Sequence, residues 1–326
     1  LSRRRRRRGA GPREGVGSGE MVVAEISPAA TLEDNVKVGE LTRIGESSRI
    51  GAGTAIDRLV DIGRNVEIGE RVVINSGATI AENVRIGADS TVFENVIVGN
   101  PPQVRYCAGL VQKPACGSSA QGKVSHCAEI QDRKYRGGPT HVAIGCAVVL
   151  REDVRVERGT ENGGSLTSVG DDTLLMSGVY VGHDSHVGSG CVIGNRASLA
   201  GHVVLEDHVT IGGHAAIHQF VRVGREAMIG AMSPIRHDVV PFCVVSGNPP
   251  ELRGLNLRRL RRTLPRPDLR AAHAAFCYLF RKESLPEGFG FGKLDAGISV
   301  PLEERAAALA RTELPTWSSP RLREIV

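Results

Sequence analysis

An aliphatic residue recurs at every sixth position over most of this chain, and this period constrains the fold more than any other feature. One run has thirteen consecutive hits over 26–98, and another has twelve over 169–235. A short third run lies between them, at Ile144, Leu150 and Val156. A period of six fits neither an α-helix, with about 3.6 residues per turn, nor a single amphipathic strand, with a period of about 2. It fits a short strand and a corner, repeated three times in each coil, so that one coil spans three hexads.

Coils of this kind stack about 4.8 Å apart, as parallel strands do, with the aliphatic side chains packed inside. The position two residues before each aliphatic also points inward and is small or Val, as at Val36, Thr42, Ser48 and Thr54. Aromatic residues make up only 4% of the chain, as a narrow interior requires, and Gly is frequent at 40 of 326. We expect the Gly that often follows the aliphatic to supply the backbone freedom of a corner. The sequence therefore predicts a mainly β fold, a parallel β-helix of hexapeptide repeats.

The repeat divides the chain into three parts. Residues 1–20 are rich in Arg and Gly and are predicted to be a disordered leader, with Met21 a plausible true start. The β-helix is predicted over 21–247, with a loop insertion at about 104–131 where the period fails.

A small C-terminal α-helical domain is predicted over 248–326. Helical spacing is found at 256–262 and 268–282, and a further helix fits 301–311, where a Pro stands in the first turn.

Charge and composition exclude several classes of function. The net charge of +5 comes from positions 1–20, which hold seven Arg and two acids, so the rest of the chain balances at 34 basic against 34 acidic side chains. The body of the protein therefore gives no sign of nucleic-acid binding. No apolar run approaches the ~18 residues of a membrane span. Seven irregularly spaced Cys argue against a disulfide framework and for a reducing compartment, the cytoplasm, or an organelle matrix if the leader is part of a transit peptide.

No metal or cofactor is predicted. The insertion carries three Cys and one His, but they lack the C-x₂₋₄-C pair of a zinc site. A Gly/Ser-rich surface loop is the preferred interpretation of this stretch, which holds Cys107, Cys116, His126 and Cys127.

Most His residues lie in one stretch, and the coil length sorts them. Position 201 lies directly above position 183, so that His183, His202 and His218 should lie near one edge of the β-helix. The others in the stretch are interpreted as solvated corner residues, namely His186, His208 and His214.

His183 is the best candidate for catalysis, because Asp184 follows it and Gly201 lies one coil above. An imidazole is the natural general base for a hydroxyl group at neutral pH. A neighbouring carboxylate can hold its tautomer and stabilise the imidazolium. The backbone N–H of Gly201 can face a developing oxyanion. Together these groups predict an acyl-transfer site that forms no covalent intermediate.

Several stretches resemble one family, the acyl-[acyl-carrier-protein]–UDP-N-acetylglucosamine O-acyltransferases that open lipid A synthesis, within the hexapeptide-repeat acyltransferases. The resemblance covers roughly 22–285. The matching stretches are DRKYRGGPT (132–140), RGTENGGSLTSVGDDTLLM (158–176), VGHDSHVG (181–188), LAGHV (199–203), IGG (211–213), IHQF (217–220) and GNPPELRGLNLRRLRR (247–262). The resemblance implies a left-handed β-helix and a homotrimer.

The resemblance also implies a reaction and its catalytic residues. A 3-hydroxyacyl group would pass from acyl carrier protein to the 3-hydroxyl of UDP-N-acetylglucosamine. His183 would deprotonate that hydroxyl, Asp184 would support it, and Gly201 N–H would stabilise the oxyanion.

Other positions would bind the substrates. Asp132 and Lys134 would hold the sugar and phosphate portion, and His202 and His218 the sugar nucleotide or acyl chain. Gln219 would lie beside the acyl and pantetheine groups, and Asn256 and Arg262 would reach the uridine diphosphate across a subunit boundary.

This chain departs from the family pattern at three positions. Tyr180 replaces a His and can donate a hydrogen bond but carries no charge. Arg258 stands where an acid is expected, which bears on the uridine and ribose contacts. Ala231 occupies the position that limits acyl length, and we expect an intermediate chain cutoff.

Two other functions stay open on the residues alone. One is a different hexapeptide enzyme, either an acetyl-CoA-dependent transferase or an N-acyltransferase. The other is a non-catalytic β-helix that serves as a scaffold. The pairing of His183 and Asp184 with Gly201 and His202 favours an enzyme over a scaffold.

Overall fold

The computed structural model describes residues 24–102, 135, 137–263, 265–266, 269–270, 272–273 and 276. The predicted leader at 1–20 and the predicted insertion at 104–131 lie outside these residues.

The described chain consists almost entirely of short strands joined by tight turns. Those before residue 101 are β1 (Glu25–Ile26), β2 (Thr31–Leu32), β3 (Lys37–Val38), β4 (Arg43–Ile44), β5 (Arg49–Ile50), β6 (Ala55–Ile56), β7 (Asp61–Ile62), β8 (Glu67–Ile68), β9 (Val73–Ile74), β10 (Thr79–Ile80), β11 (Val84–Ile86), β12 (Thr91–Val92) and β13 (Ile97–Asn100). Then come β14 (His141–Ile144), β15 (Val149–Leu150) and β16 (Arg155–Glu157). The rest are β17 (Leu166–Val169), β18 (Leu174–Leu175), β19 (Tyr180–Val181), β20 (His186–Val187), β21 (Val192–Ile193), β22 (Ser198–Leu199), β23 (Val204–Leu205), β24 (Thr210–Ile211), β25 (Ala216–Ile217), β26 (Arg222–Val223), β27 (Met228–Ile229), β28 (Pro234–Ile235), β29 (Cys243–Ser246), β30 (Glu251–Leu255) and the helix α1 (Leu257–Thr263).

As far as β28, every third strand joins the same sheet, so the chain winds through three sheets of ten, nine and eleven strands, all paired parallel except β30. Sheet 1 starts with β1, sheet 2 with β2 and sheet 3 with β3. Paired positions lie 18 apart, as Ile44 and Ile62 do. The predicted coil length is therefore confirmed, and so is the fold class, a mainly β parallel solenoid of about ten turns. We name the corners by the sheets they join: the 1–2, 2–3 and 3–1 corners.

The interior is a column of aliphatic side chains with a few hydroxyl groups. Ile44, Ile50 and Ile62 are buried, and each contributes about 1.5–3 kcal/mol relative to an exposed side chain. The polar residues inside bond to the next coil, where the Thr42 and Ser48 hydroxyls donate to backbone carbonyls at 2.7 and 2.9 Å. A buried hydroxyl without such a partner would be costly, so this bond explains why Ser and Thr are accepted there.

The glycines after the aliphatic residues do not serve the purpose predicted for them. A Cβ on Gly45 would lie 2.5 Å from the backbone of Gly63, so Gly is needed there because the next coil approaches too closely for a side chain. The positive φ of the corner falls two residues later, at +59° for Ser47 and +54° for Asn65. Close coil packing, and not backbone freedom, accounts for these glycines, except for Gly99 at the start of the first excursion, which has a φ of +90°.

Two excursions interrupt the coils. A regular coil would pair Ile86 with position 104, but Ile86 pairs with Ile144, so the first excursion lengthens its coil by the interval from 104 to 144. A regular coil would pair Ile144 with position 162, but Ile144 pairs with Val169, so the second excursion is much shorter. The first lies between β13 and β14 and the second between β16 and β17, which places both at the 1–2 corner.

The solenoid ends with a change of direction. β29 pairs parallel with β27, but β30 runs antiparallel to β29. Asn256 then caps α1, since its side-chain Oδ1 accepts the Arg259 amide at 3.3 Å while its backbone carbonyl accepts the Leu260 amide at 3.0 Å. The helix predicted at 256–262 is observed as Leu257–Thr263.

Described helical residues continue as far as Phe276, and 301–311 lies outside the described residues. The division of the chain at residue 248 stays a prediction. Within the described ranges, no helix is both long enough and apolar enough to cross a membrane.

Candidate active site

His183 and Asp184 form the turn at the 1–2 corner that follows β19. Asp184 has a φ of +56°, the ordinary value for the second turn residue of a coil. Both side chains are almost completely buried, with His183 1% and Asp184 2% exposed. A corner of a solenoid normally faces solvent, so this burial needs a cause outside the coil itself.

Four hydrogen bonds hold Asp184. Its carboxylate accepts the Thr160 amide at 2.8 Å and the Thr160 hydroxyl at 2.7 Å, and its Oδ2 lies 2.9 Å from His183 Nδ1. Its own amide donates to the Thr167 hydroxyl at 2.8 Å. Burial raises the pKa of the Asp184 carboxyl, but the hydrogen bonds from His183 and Thr160 outweigh burial and hold the pKa below its usual range. The carboxylate is therefore ionised at neutral pH and fixes the orientation of the imidazole.

The second excursion supplies the cover over Asp184, and we call residues 158–165 the cover loop. Besides Thr160, it brings Gly163 against the Asp184 carboxyl group so closely that a Cβ there would overlap it. Arg158 anchors the start of the loop, because its Nε donates to the Gly99 carbonyl at 2.6 Å and its Nη2 to the Glu82 carbonyl at 3.2 Å. Sequence reasoning assigned no role to these three residues, although the stretch RGTENGG that contains them was part of the resemblance.

The free nitrogen of His183 faces the next coil. Within the described residues, Nε2 is buried without a hydrogen-bond partner. A Cβ on Gly201 would lie 2.6 Å from Nε2, so only Gly allows this approach. The Gly201 N–H has no acceptor in the described part of the chain. A proton acceptor and a backbone donor therefore lie side by side, which is the arrangement that acyl transfer to a hydroxyl requires.

His202 closes the site from the next coil. Its ring stands edge-on to His183 at 5.0 Å between centroids, and stacks on Phe220 at 4.7 Å with 16° between the planes. Asp184, His202 and Phe220 occupy the same turn position in successive coils. Phe220 was not predicted as a site residue, but its position one full coil after His202 could have identified it.

Three other predicted residues lie near this cluster. His218 and Gln219 are at the same corner one coil further on, where His218 is exposed and its Nδ1 lies 3.1 Å from the Gln219 carbonyl. Tyr180 is half-buried on β19, three residues before His183. The structure thus brings His183 together with Asp184, Gly201 and His202, and sets the other three around them.

The remaining predicted residues do not converge with His183 in one chain. Ala231 is at the 3–1 corner, on the other side of sheet 1. The Asn256 amide donates to the Glu226 carbonyl at the 2–3 corner, at 2.9 Å, and Arg262 is exposed on α1. Asp132 and Lys134 lie outside the described residues, but the excursion that contains them starts and ends at the 1–2 corner.

A groove of about 570 Å³ runs along the 1–2 corner on the N-terminal side of this cluster. It ends at Arg158, directly below His183. Acidic and basic side chains alternate along it, among them Arg43, Glu46, Asp61, Arg64 and Glu82.

Two family models match parts of the chain. The bacterial transferase hexapeptide model matches residues 59–94 and 167–201. The model for domain 2 of UDP-N-acetylglucosamine O-acyltransferase matches residues 238–289. The two matches together lie in the coils and in the C-terminal region.

Curated relatives carry one name, acyl-[acyl-carrier-protein]–UDP-N-acetylglucosamine O-acyltransferase. The protein of Sulfurovum sp. is 41% identical over 152 residues, 47% of this chain and 58% of that one. The protein of Nautilia profundicola is 36% identical over 153 residues, 47% of this chain and 59% of that one. The chain spans about three fifths of the length of these relatives.

Solved structures match over a larger share. The Arabidopsis UDP-N-acetylglucosamine acyltransferase is 27% identical, with 93% of this chain and 92% of that chain covered and a TM-score of 0.65. The UDP-N-acetylglucosamine acyltransferase of Bacteroides fragilis is 26% identical, with 93% of each chain covered and a TM-score of 0.63. The resemblance predicted from the sequence motifs is therefore confirmed.

Proposed function

We propose that this chain is an acyltransferase that resembles those relatives in activity as well as in fold. It moves a 3-hydroxyacyl group from acyl carrier protein to the 3-hydroxyl of UDP-N-acetylglucosamine, the first step of lipid A biosynthesis. The observation that carries the proposal is the buried His183–Asp184 pair, in which His183 Nε2 lies beside Gly201 with no hydrogen-bond partner among the described residues. The names of the curated relatives supply the substrates.

In this mechanism the sugar hydroxyl gives its proton to Nε2 of His183 while its oxygen attacks the thioester carbon. Asp184 stabilises the imidazolium through Nδ1, and the Gly201 N–H donates to the oxygen that becomes negative. The tetrahedral intermediate then expels the pantetheine sulfur, which takes the proton back from Nε2. Because Nε2 is buried, the hydroxyl reaches it only when a neighbouring side chain such as His202, 21% exposed, moves aside.

The placement of the proposed substrate residues supports an oligomer. Asn256 and Arg262 lie away from the 1–2 corner of their own chain, so they can serve the same substrate as His183 only from a neighbouring subunit. We therefore include a homotrimer in the proposal, with Asp132 and Lys134 at the sugar and phosphate end. Tyr180, His202, His218 and Gln219 line the remainder of the site. The proposed compartment is the cytoplasm, or an organelle matrix if the Arg-rich leader belongs to a transit peptide.

One assay tests the reaction. The purified protein is mixed with UDP-N-acetylglucosamine and with 3-hydroxyacyl thioesters of acyl carrier protein or with acetyl-CoA. We expect transfer from the carrier-protein thioesters only, to a product whose acyl bond is an ester and breaks under mild base. An amide product or efficient use of acetyl-CoA would indicate a different hexapeptide transferase. No transfer from any donor would favour a scaffold.

A further inference from the structure

The residues around Asp184 bring three metal-binding groups within reach of one ion. His183, Asp184 and His202 each offer a ligand atom within 4.8 Å of the other two. His183 Nδ1 lies 2.9 Å and His202 Nε2 lies 3.9 Å from Asp184 Oδ2. Ligands bound tetrahedrally to zinc at about 2.0–2.2 Å are roughly 3.3–3.6 Å apart, between these two distances.

We propose that this cluster binds a zinc ion, with His183 Nδ1, Asp184 Oδ2 and His202 Nε2 as ligands and water as the fourth. We propose also that the bound ion switches off acyl transfer; this second part rests on the proposed function. The ion would be an inhibitor of the site and not a cofactor of the reaction.

The surroundings suit a metal ion. Asp184 is already oriented by the Thr160 amide and hydroxyl, and ligands that are held by such outer bonds bind metals more tightly. The stack on Phe220 sets the plane of the His202 ring. His202 is 21% exposed, so an ion can enter from its side, while the other two ligands stay in a dry environment.

Metal binding and base catalysis exclude each other because they need different tautomers of His183. Catalysis needs a lone pair on Nε2, so the ring proton must be on Nδ1, where it is donated to Asp184. A zinc ion takes the lone pair of Nδ1, and the proton of the neutral ring then stands on Nε2. No proton is gained or lost by the ring, but Nε2 becomes a donor that can no longer accept the proton of a substrate hydroxyl.

The chain offers a matched control. His202 and His208 occupy equivalent turn positions at different corners, each with a φ of +60°, but His208 is exposed and outside the cluster. His202→Gln and His208→Gln therefore remove the same group from the same backbone. Other thiols and imidazoles of the full chain bind zinc equally in both variants.

The test is a zinc titration of the full-length protein against a chelator of known affinity. We expect the wild type and His208→Gln to bind one equivalent at least tenfold more tightly than His202→Gln, as is typical when a metal site is damaged. Nitrogen NMR of the His183 ring should show Nε2 gain a proton when zinc binds. His202→Cys keeps a metal ligand and should retain the site, which guards against a variant that fails through misfolding.

The outcomes separate the two proposals. Equal zinc affinity of His202→Gln and His208→Gln, both folded by circular dichroism, would overturn the metal site. Zinc binding with the tautomer change in a protein without transferase activity would overturn the proposed function alone. Transfer that continues at full rate with the tight site saturated would refute inhibition and leave binding intact.

Discussion

The 1–2 corner has the same backbone in the N-terminal and C-terminal coils, but only the C-terminal coils carry a candidate site. Arg64 and Asn65 form the turn in one half and His183 and Asp184 in the other, with φ of +54° and +56° at the second residue. Asn65 is exposed and donates to the Asn83 side chain at 2.7 Å, whereas Asp184 is 2% exposed. Turn geometry therefore does not make the site.

The cover loop makes the difference. Its extra length buries Asp184 and gives the carboxylate two of its hydrogen bonds, both from Thr160. The Arg64–Glu82 pair at the N-terminal 1–2 corner, 2.7 Å apart, keeps side-chain exposures of 65% and 36%, although Arg158 at the start of the cover loop also reaches Glu82. Exposed pairs of that kind contribute about 0–1 kcal/mol. The stacked coils place the site residues next to one another, and the cover loop excludes water from them.

The largest effect is expected when the first turn residue of the 1–2 corner is replaced by Gln, once in each half of the β-helix. His183→Gln removes the proposed base, and we expect the rate of transfer to fall about 10²–10⁴-fold, as loss of a general base usually does. Arg64→Gln, at the equivalent position, should change the rate less than about twofold, because it loses only a surface ion pair. Single-turnover rates of both variants give the answer. Full activity of His183→Gln would remove the catalytic assignment.

Gly163→Ala tests the cover loop. The new Cβ must displace either the loop or the Asp184 carboxyl, so we expect a rate loss on the order of 10²-fold and a lower unfolding temperature. In Gly213→Ala the Cβ meets nothing closer than 3.3 Å, and its unfolding temperature should stay near that of the wild type. Rates and thermal unfolding are measured together. A Gly163→Ala protein with normal rate and stability would show that the loop is not a rigid cover.

Ala231 tests whether the 3–1 corner of the C-terminal half selects the acyl chain. Ala231→Met should favour shorter chains by about tenfold in relative kcat/KM, because even one methylene group in a hydrophobic pocket changes kcat/KM by about that much. Arg58→Met, at the same turn position in the N-terminal half, should leave the preference unchanged. Competition between acyl carrier protein thioesters of different length measures both. If the wild type uses the longest chains best, the expected intermediate cutoff is wrong.

Thr160→Val tests the charge of Asp184. A carboxyl whose pKa is lowered in the folded state stabilises the fold above the unfolded pKa, about 3.9, and loses that contribution as pH falls through the folded value. The variant lacks one donor, so its free energy of unfolding should be about 1 kcal/mol lower at pH 7. The difference in the free energy of unfolding between the wild type and the variant should become smaller below about pH 4.

Urea unfolding across this pH range, with Thr79→Val on β10 of sheet 1 as control, provides the comparison. If this stability difference did not vary with pH, Thr160 would act through packing alone.

The smallest effect is expected from the other excursion. Deletion of 104–131 joins Gln103 to Asp132 and removes most of the extra length of that coil. Because the coils on both sides pair with each other directly, we expect the fold to persist and the rate to stay within about threefold. Gel filtration and the transfer assay measure this. An unfolded deletion protein would mean that the insertion belongs to the core.

The sequence predicted the scaffold because period and coil length are linear properties. Counting by three hexads places Gly201 above His183, and the structure has them in contact. The same count started from His202 finds Phe220, one coil further on. What it cannot find is the partner of a residue that lies in a non-periodic stretch, so Thr160 and Gly163 were missed as individual residues.

Two expectations failed or stayed open for physical reasons. The hexad glycines were assigned to corner flexibility, but clearance between coils is a contact between positions one full coil apart and has no local signature. Asn256 caps a helix and bonds to the Glu226 carbonyl, so its predicted contact with the nucleotide depends on an assembly that one chain does not contain.

The antiparallel turn into β30 limits how the β-helix can be extended at the end of sheet 3. A parallel β-sheet has no inherent end, because its edge strand presents unpaired backbone N–H and C=O groups to a further strand. In sheet 3 the chain turns back, and β30 pairs antiparallel with the backbone groups of β29 that a further parallel strand would need. Repeats added by duplication therefore cannot simply follow β29 in sheet 3, whereas a whole coil can be inserted between two existing coils.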